Sequence, residues 1–180
     1  MLQPYIVERG VIRLIGRRNQ FGGNLPQEEN IGPLFDSLED FLAGIPNRVD
    51  QRFYGISIDY WQGNRAEDGR EGLRSYMVAA EVRTLTDLPF VLESRVVPAT
   101  RWLYIPVRYD DPEVRALAPE ALRDDVGYLT GCVFGWSRRW IAEQGLERQD
   151  FPDELEIYGL HDGYAGVEGG ANLTLAVPIV

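Results

Sequence analysis

Lysine is missing from this chain of 180 residues; all 18 of its basic residues are arginine. That excludes a lysine Schiff base and the lysine of a phosphate-binding P-loop. A single cysteine, Cys132, excludes an internal disulfide and any cysteine-rich zinc site. A single histidine, His161, excludes multi-histidine metal sites and argues against Ser-His-Asp and Cys-His catalysis. No run approaches the roughly 18 apolar residues that span a bilayer, and Met1 to Gly10 carries Pro4 and Glu8 where a signal peptide needs an apolar core. The default expectation is therefore a cytoplasmic protein. Basic excess is absent too. The 28 acidic residues against 18 arginines leave a net charge of −10, the wrong sign for holding nucleic acid or an anionic membrane.

What is present is globular. Hydrophobic residues make up 44% and charged residues 26%, enough for one domain of 1–180 that buries roughly 70% of its unfolded surface. Val11 to Arg17 has strand composition, and Phe21 to Glu29 reads as a loop. A helix is predicted from Pro33, suited to a first turn, with Leu34, Leu38, Phe41 and Leu42 at helical spacing, until Gly44 and Pro46. Strands follow at Phe53–Trp61 and Ser75–Arg83, then an extended segment at Phe90–Val97 and a strand at Ala99–Tyr109. Leu122, Val126, Leu129, Val133, Trp136 and Trp140 then form an apolar stripe, predicting a second, long helix that Gly145 ends. Arg138 and Arg139 read as cations favouring its C-terminal dipole. Strands at Glu154–Tyr158 and Asn172–Val180 close the chain, after a glycine-rich turn at Gly163–Gly170.

This order repeats strand, helix, strand, strand, with pseudo-repeats at about 11–97 and 98–180. It predicts an α+β fold, an antiparallel sheet with two main helices on one face and a concave groove near a pseudo-two-fold axis.

Two sets of residues could carry chemistry. Glu156 and Tyr158, two apart on a strand, share a face, with Leu155 and Ile157 on the other. If the apolar face meets the helices, the carboxylate and phenol line the groove. There they could hold a cation or act in general acid–base chemistry. Spacing alone favours the plainer alternative of a solvated sheet face. The second set is aromatic: four Trp, nine Tyr and seven Phe. Trp102 and Tyr104 share one strand face, Tyr60 and Tyr76 sit on others, and Trp136 and Trp140 lie on the helical stripe. Helical aromatics are more often core. The His161-Asp162 pair has no nearby second ligand, Cys132 reads as a small buried residue, and neither a metal nor a cofactor is expected.

The order of these segments is similar to that of the GyrI-like small-molecule-binding domain, the effector-binding domain of AraC-type and MerR-type multidrug regulators. The likeness rests on Val11 to Arg17, ending in a Gly-x-Arg pattern, and on Ile31-Gly32-Pro33-Leu34-Phe35. It continues through Ile45-Pro46-Asn47-Arg48, Tyr54-Gly55-Ile56 and Tyr76 to Val82. Val97-Pro98-Ala99 with Trp102, the Glu156-Ile157-Tyr158 strand and Pro178-Ile179 complete it. The resemblance implies a bacterial protein whose Glu156 lies in a central aromatic pocket and contacts cationic, lipophilic compounds. The residues before Val11 are too few for a helix-turn-helix and the chain ends on a strand, so direct transcription control is not expected.

Three functions follow. The leading one is a stand-alone protein that binds amphipathic, cationic or aromatic compounds for sensing or sequestration. Its site would be Glu156, Tyr158, Trp102, Tyr104, Tyr76, Tyr60, Trp136 and Trp140. The second, implied by hydrolytic members of the family, is metal-independent hydrolysis of cyclopropane-type genotoxins, with Glu156 as base and Tyr158 as donor. The third is a protein partner, as in gyrase-inhibiting members. The acidic residues form no run of five, which weakens the last. The sequence leaves the oligomeric state open.

Overall fold

The computed structural model describes residues 2–21, 27–58, 74–86, 91–159 and 173–180. Its strands and helices form an α+β fold. Eight strands are present among the described residues, and every pairing described is antiparallel. The chain divides into two compact units, Val11–Pro98 and a second made of Met1–Gly10 with Ala99–Val180.

The Val11–Pro98 unit contains β2 (Ile12–Phe21), α1 (Gln27–Asp36), α2 (Leu38–Ala43), β3 (Phe53–Ile58), β4 (Arg74–Glu81) and β5 (Glu93–Val97). Its strands run in the order β3-β4-β2-β5. Register places Gly16 opposite Ala79 and Tyr54 opposite the same residue on the far side. One face meets the helices. There the Phe35 ring meets Phe53 edge-on at 6.3 Å and lies tilted 6.1 Å from Tyr76, and Arg17 lies over Phe41 while donating to Ser37 Oγ. The helical segment starts earlier than Pro33 and breaks at Ser37. Gln27 to Asn30 are polar residues without an apolar stripe, so periodicity does not reveal them, and Pro33 lies inside α1.

The opposite face of this unit is also apolar, with Ile12, Leu14, Ile56 and Ile58 at 3% exposure or less. Glu81 is the acid among them. Its carboxylate accepts a 2.6 Å hydrogen bond from the Tyr54 phenol, both side chains being buried. A buried carboxylate needs such donors. Tyr54→Phe is therefore expected to cost about 1–3 kcal/mol, read from the urea midpoint; an unchanged midpoint would show that this bond is not needed to hold the acid.

The second unit contains β1 (Tyr5–Arg9), β6 (Thr100–Val107), α3 (Pro112–Ala116), α4 (Val126–Glu143), β7 (Leu155–Tyr158) and β8 (Leu173–Ile179), with strand order β1-β6-β8-β7. The sequence shows no strand before Val11, yet Tyr5–Arg9 pairs with β6, Val7 opposite Trp102. β8 is buried along its full length, the mark of a strand covered on both faces. On one face, Leu103, Ile105, Val107, Leu173, Leu175 and Val177 pack with Leu129, Val133 and Ile141 of α4.

Asp125 sets the start of α4. Its carboxylate accepts from the Tyr128 N–H, so Leu122 falls outside, in a short 3-10 turn. The buried stripe is Leu129, Val133, Ser137 and Ile141, rotated from the predicted one. Leu122 and Val126 are exposed, and Trp136 and Trp140 flank the stripe half-buried. Ser137 fits because its hydroxyl donates to the Phe134 carbonyl. Gly145 ends the helix at φ +67, a left-handed position suited to glycine, with the Leu146 N–H returning to the Ile141 carbonyl. Arg138 and Arg139 lie before the last turn, which holds no basic residue, so they do not cap the dipole as predicted. No described helix is long and apolar enough to cross a membrane.

Candidate functional site

β7 reads Leu-Glu-Ile-Tyr, and its register with β8 decides where each side chain goes. Glu156 lies opposite Leu175 and Tyr158 opposite Leu173. Those leucines belong to the cluster packed under α4. Leu155 and Ile157 lie opposite Ala176 and Thr174, which pair in turn with Tyr104 and Pro106. Glu156 and Tyr158 therefore share the helix-covered face, and Leu155 and Ile157 share the face of Trp102 and Tyr104. This reverses the face predicted from alternation. The physical reason is that both faces are buried, Leu155 and Ile157 at 0% exposure on one and Leu173 and Leu175 at 2% and 0% on the other, so apolar residues do not mark the helix side.

On the helix face, the Tyr158 hydroxyl donates to Glu156 Oε2 at 2.7 Å. Both side chains are half-buried. Trp136 and Trp140, four apart on α4, hold their rings 6.4 Å apart and tilted by 30°; both rings and Tyr158 pack against the same buried cluster. Tyr109 joins this cluster. It was not singled out by sequence, although it continues the alternation of Leu103, Ile105 and Val107. Its hydroxyl lies 2.7 Å from Thr130 Oγ1. Burial pushes the Tyr109 phenol up, well above its ordinary range, against the lowering effect of its hydrogen bond with Thr130, and the negative charge of Glu156 adds a smaller rise, so it stays neutral.

The other predicted residues are elsewhere. Trp102 is fully buried on the opposite sheet face, and its Nε1 has no hydrogen-bond partner among the described residues. Tyr104 is on that same face, meeting Tyr5 edge-on at 5.7 Å and accepting from Arg9 at 3.4 Å. Tyr76 belongs to the Val11–Pro98 unit, in its Phe35–Phe53 cluster. Tyr60, His161 and the Gly163–Gly170 turn lie outside the described residues. Cys132 is a free thiol packed partly into the α4 cluster. Among the described residues no group of three metal-binding side chains comes together.

A structural clamp precedes the site. Arg148 Nε donates to Glu154 Oε1 at 2.8 Å, the two side chains being 17% and 12% exposed. Sequence reasoning had no signal for this pair beyond the opposite charges. A cavity of about 500 Å³ beside α3, between Arg115, Arg123 and Asp124, contains none of the predicted site residues.

No family model matches the chain, and no curated protein matches it. Solved structures do. SAV2435 bound to tetraphenylphosphonium superposes with a TM-score of 0.63 at 12% identity, over 99% of this chain and 94% of that one. The EcmrR C-terminal domain matches with a TM-score of 0.55 at 12% identity, over 100% and 98%. In the EcmrR–DNA complex this chain spans 57% of the EcmrR chain. A hydrolase encoded by lin2189 from Listeria innocua matches with a TM-score of 0.51 at 10% identity, over 99% and 92%. The chain has the GyrI-like fold.

Proposed function

We propose that this protein binds amphipathic, cationic, aromatic small molecules, with Glu156 as the anionic contact on the helix-covered face of β7. The observation that carries this reading is the 2.7 Å bond from Tyr158 to Glu156 Oε2. A phenol has one proton, and here it goes to the carboxylate. The pair presents acceptor oxygens on the sheet face whose buried cluster Trp136 and Trp140 also pack against, and tryptophan quadrupoles favour positive charge as well. Partial burial strengthens the attraction by lowering the local dielectric. The tetraphenylphosphonium bound by SAV2435, a protein of the same fold, belongs to this ligand class.

Hydrolysis is the second reading, supported by the hydrolase from Listeria innocua. It requires Tyr158 to donate to an electrophile. The proton it would donate is the one held by Glu156, so the observed pair favours binding over this division of roles.

Intrinsic tryptophan fluorescence, titrated with tetraphenylphosphonium, tests the proposal. Saturable quenching is expected. Glu156→Gln is expected to weaken binding by about ten- to a hundredfold, the size of a charge-assisted contact, and to leave the neutral triphenylphosphine oxide within about threefold. Equal affinities for the cation in both proteins would remove Glu156 from the site.

A further inference from the structure

Glu156 has a second carboxylate as a neighbour on its own face. Burial alternates through 154–158: Leu155 and Ile157 are buried, and Glu154, Glu156 and Tyr158 are half-buried between them. Extended chain puts residues two apart on one side. Arg148 is placed independently. It bridges Ile179 in antiparallel register, and Ile179 belongs to the cluster packed under α4, so Arg148 also stands on the helix-covered face. Along β8, Tyr158 lies opposite Leu173 and Glu156 opposite Leu175; Glu154 continues the line toward Arg148. At roughly 3.3 Å of rise per residue, the Cα atoms of the two glutamates stand about 7 Å apart.

The two carboxylates are held by different kinds of donor. Glu156 accepts from a phenol, which is neutral. Glu154 accepts from the Arg148 guanidinium at 2.8 Å, in a pair whose side chains are only 12% and 17% exposed. Asp150 also approaches Arg148, at 3.4 Å, but it is 87% exposed and water screens its charge. A neutral donor leaves the charge of a carboxylate in place, whereas a close ion pair cancels most of its own field at the distance of a ligand.

From the line Tyr158–Glu156–Glu154–Arg148 we infer that the site selects monocations over dications, and that Arg148 is the residue that sets this specificity. This rests on the binding role proposed for Glu156. By covering Glu154, Arg148 leaves one carboxylate charge where the spacing would otherwise offer two. A second positive charge on a ligand then meets a neutral pair. To reach Glu154 it would have to displace Arg148, exchanging one cation for another without net gain.

The test uses two ligands that differ by one charge. One is tetramethylene-bis(triphenylphosphonium). The other keeps the tether and one phosphonium but ends in a neutral diphenylphosphine oxide. Tryptophan fluorescence reads both at about pH 8, above the ordinary range of glutamate. Wild type is expected to bind the two within about threefold. Arg148→Met should favour the dication by about tenfold or more, the worth of one charge contact, and Arg148→Met/Glu154→Gln should lose that preference. Arg148→Gln keeps N–H donors for Glu154 without the charge, and carries the same expectation if methionine prevents folding. A wild type that prefers the dication tenfold overturns the inference. So does a preference unchanged by removing Arg148, or one that survives the loss of Glu154; each leaves the role of Glu156 intact. Absence of tetraphenylphosphonium binding in wild type overturns the binding role itself.

Discussion

Gly16→Ala is expected to destabilise the protein by about 3 kcal/mol or more, at the upper end of overpacking effects. Gly16 sits inside β2, paired with Ala79 of β4 on one side and Glu93 of β5 on the other. A Cβ added there would stand 2.5 Å from Ala79 Cα and 2.7 Å from Ala79 Cβ, and closer still to the Val78 carbonyl. Those atoms are backbone or backbone-anchored, so β4 would have to move away from β2. That movement would break a ladder running from Leu14 opposite Glu81 to Phe21 opposite Arg74. Thermal melting should register a fall of roughly 6–12 °C, scaling from the few degrees per kcal/mol of a chain this long. Gly131→Ala is the control. Its Cβ meets nothing within 4 Å in the interior of α4, so alanine there should raise stability by about 1 kcal/mol through helix propensity. Equal melting temperatures for the two variants would contradict the close approach of β2 and β4.

Arg148→Met is expected to cost about 3–5 kcal/mol near neutral pH, the usual penalty for leaving one member of a buried pair alone. Burial pushes the Glu154 carboxyl above its ordinary value of 4.5, opposed by the charge and hydrogen bond of Arg148 and the charge of Arg138, with Asp153 adding to the rise. The net shift is upward, which fixes the sign. Folded Glu154 holds its proton where the unfolded chain has released it. Its contribution to stability is thus present below 4.5 and is lost as pH rises through the raised folded value. Removing Arg148 strips away the largest downward influence, so the carboxyl climbs further. The deficit of the variant should therefore grow from pH 4 toward 7 and shrink in acid, where Glu154 is neutral. Urea unfolding at several pH values reads this directly. A deficit constant with pH would mean that Arg148 acts through packing alone.

The sequence was most informative where local rules govern. Gly145 ends α4 because a left-handed residue is needed there, whereas Gly44 caps α2 in the ordinary right-handed region, its N–H returning to the Phe41 carbonyl. Ala99–Tyr109 was legible as a strand because its aromatic and β-branched residues suit one, and Leu103, Ile105 and Val107 pack with α4. Tertiary context decided the rest. Tyr5–Arg9 mixes exposed apolar and charged residues, and only pairing with β6 makes it a strand. The direction of Glu156 was readable only as one of two faces, because burial on both sides of β7 erases the amphipathic signal. Tyr109 and Thr130 lie 21 residues apart, and Tyr54 and Glu81 lie 27 apart; no local pattern announces a hydrogen bond across such separations. The pairing of Glu156 with Tyr158 was visible in spacing, since residues two apart on a strand share a face whichever face it is.

A crystal structure of the protein with tetraphenylphosphonium tests the central claim most directly. The account predicts the phosphonium within about 6 Å of the Glu156 carboxylate, the range over which charge and ring contacts act, with a phenyl group against Trp136 or Trp140. A cation ordered elsewhere, with Glu156 and Tyr158 untouched, would contradict it.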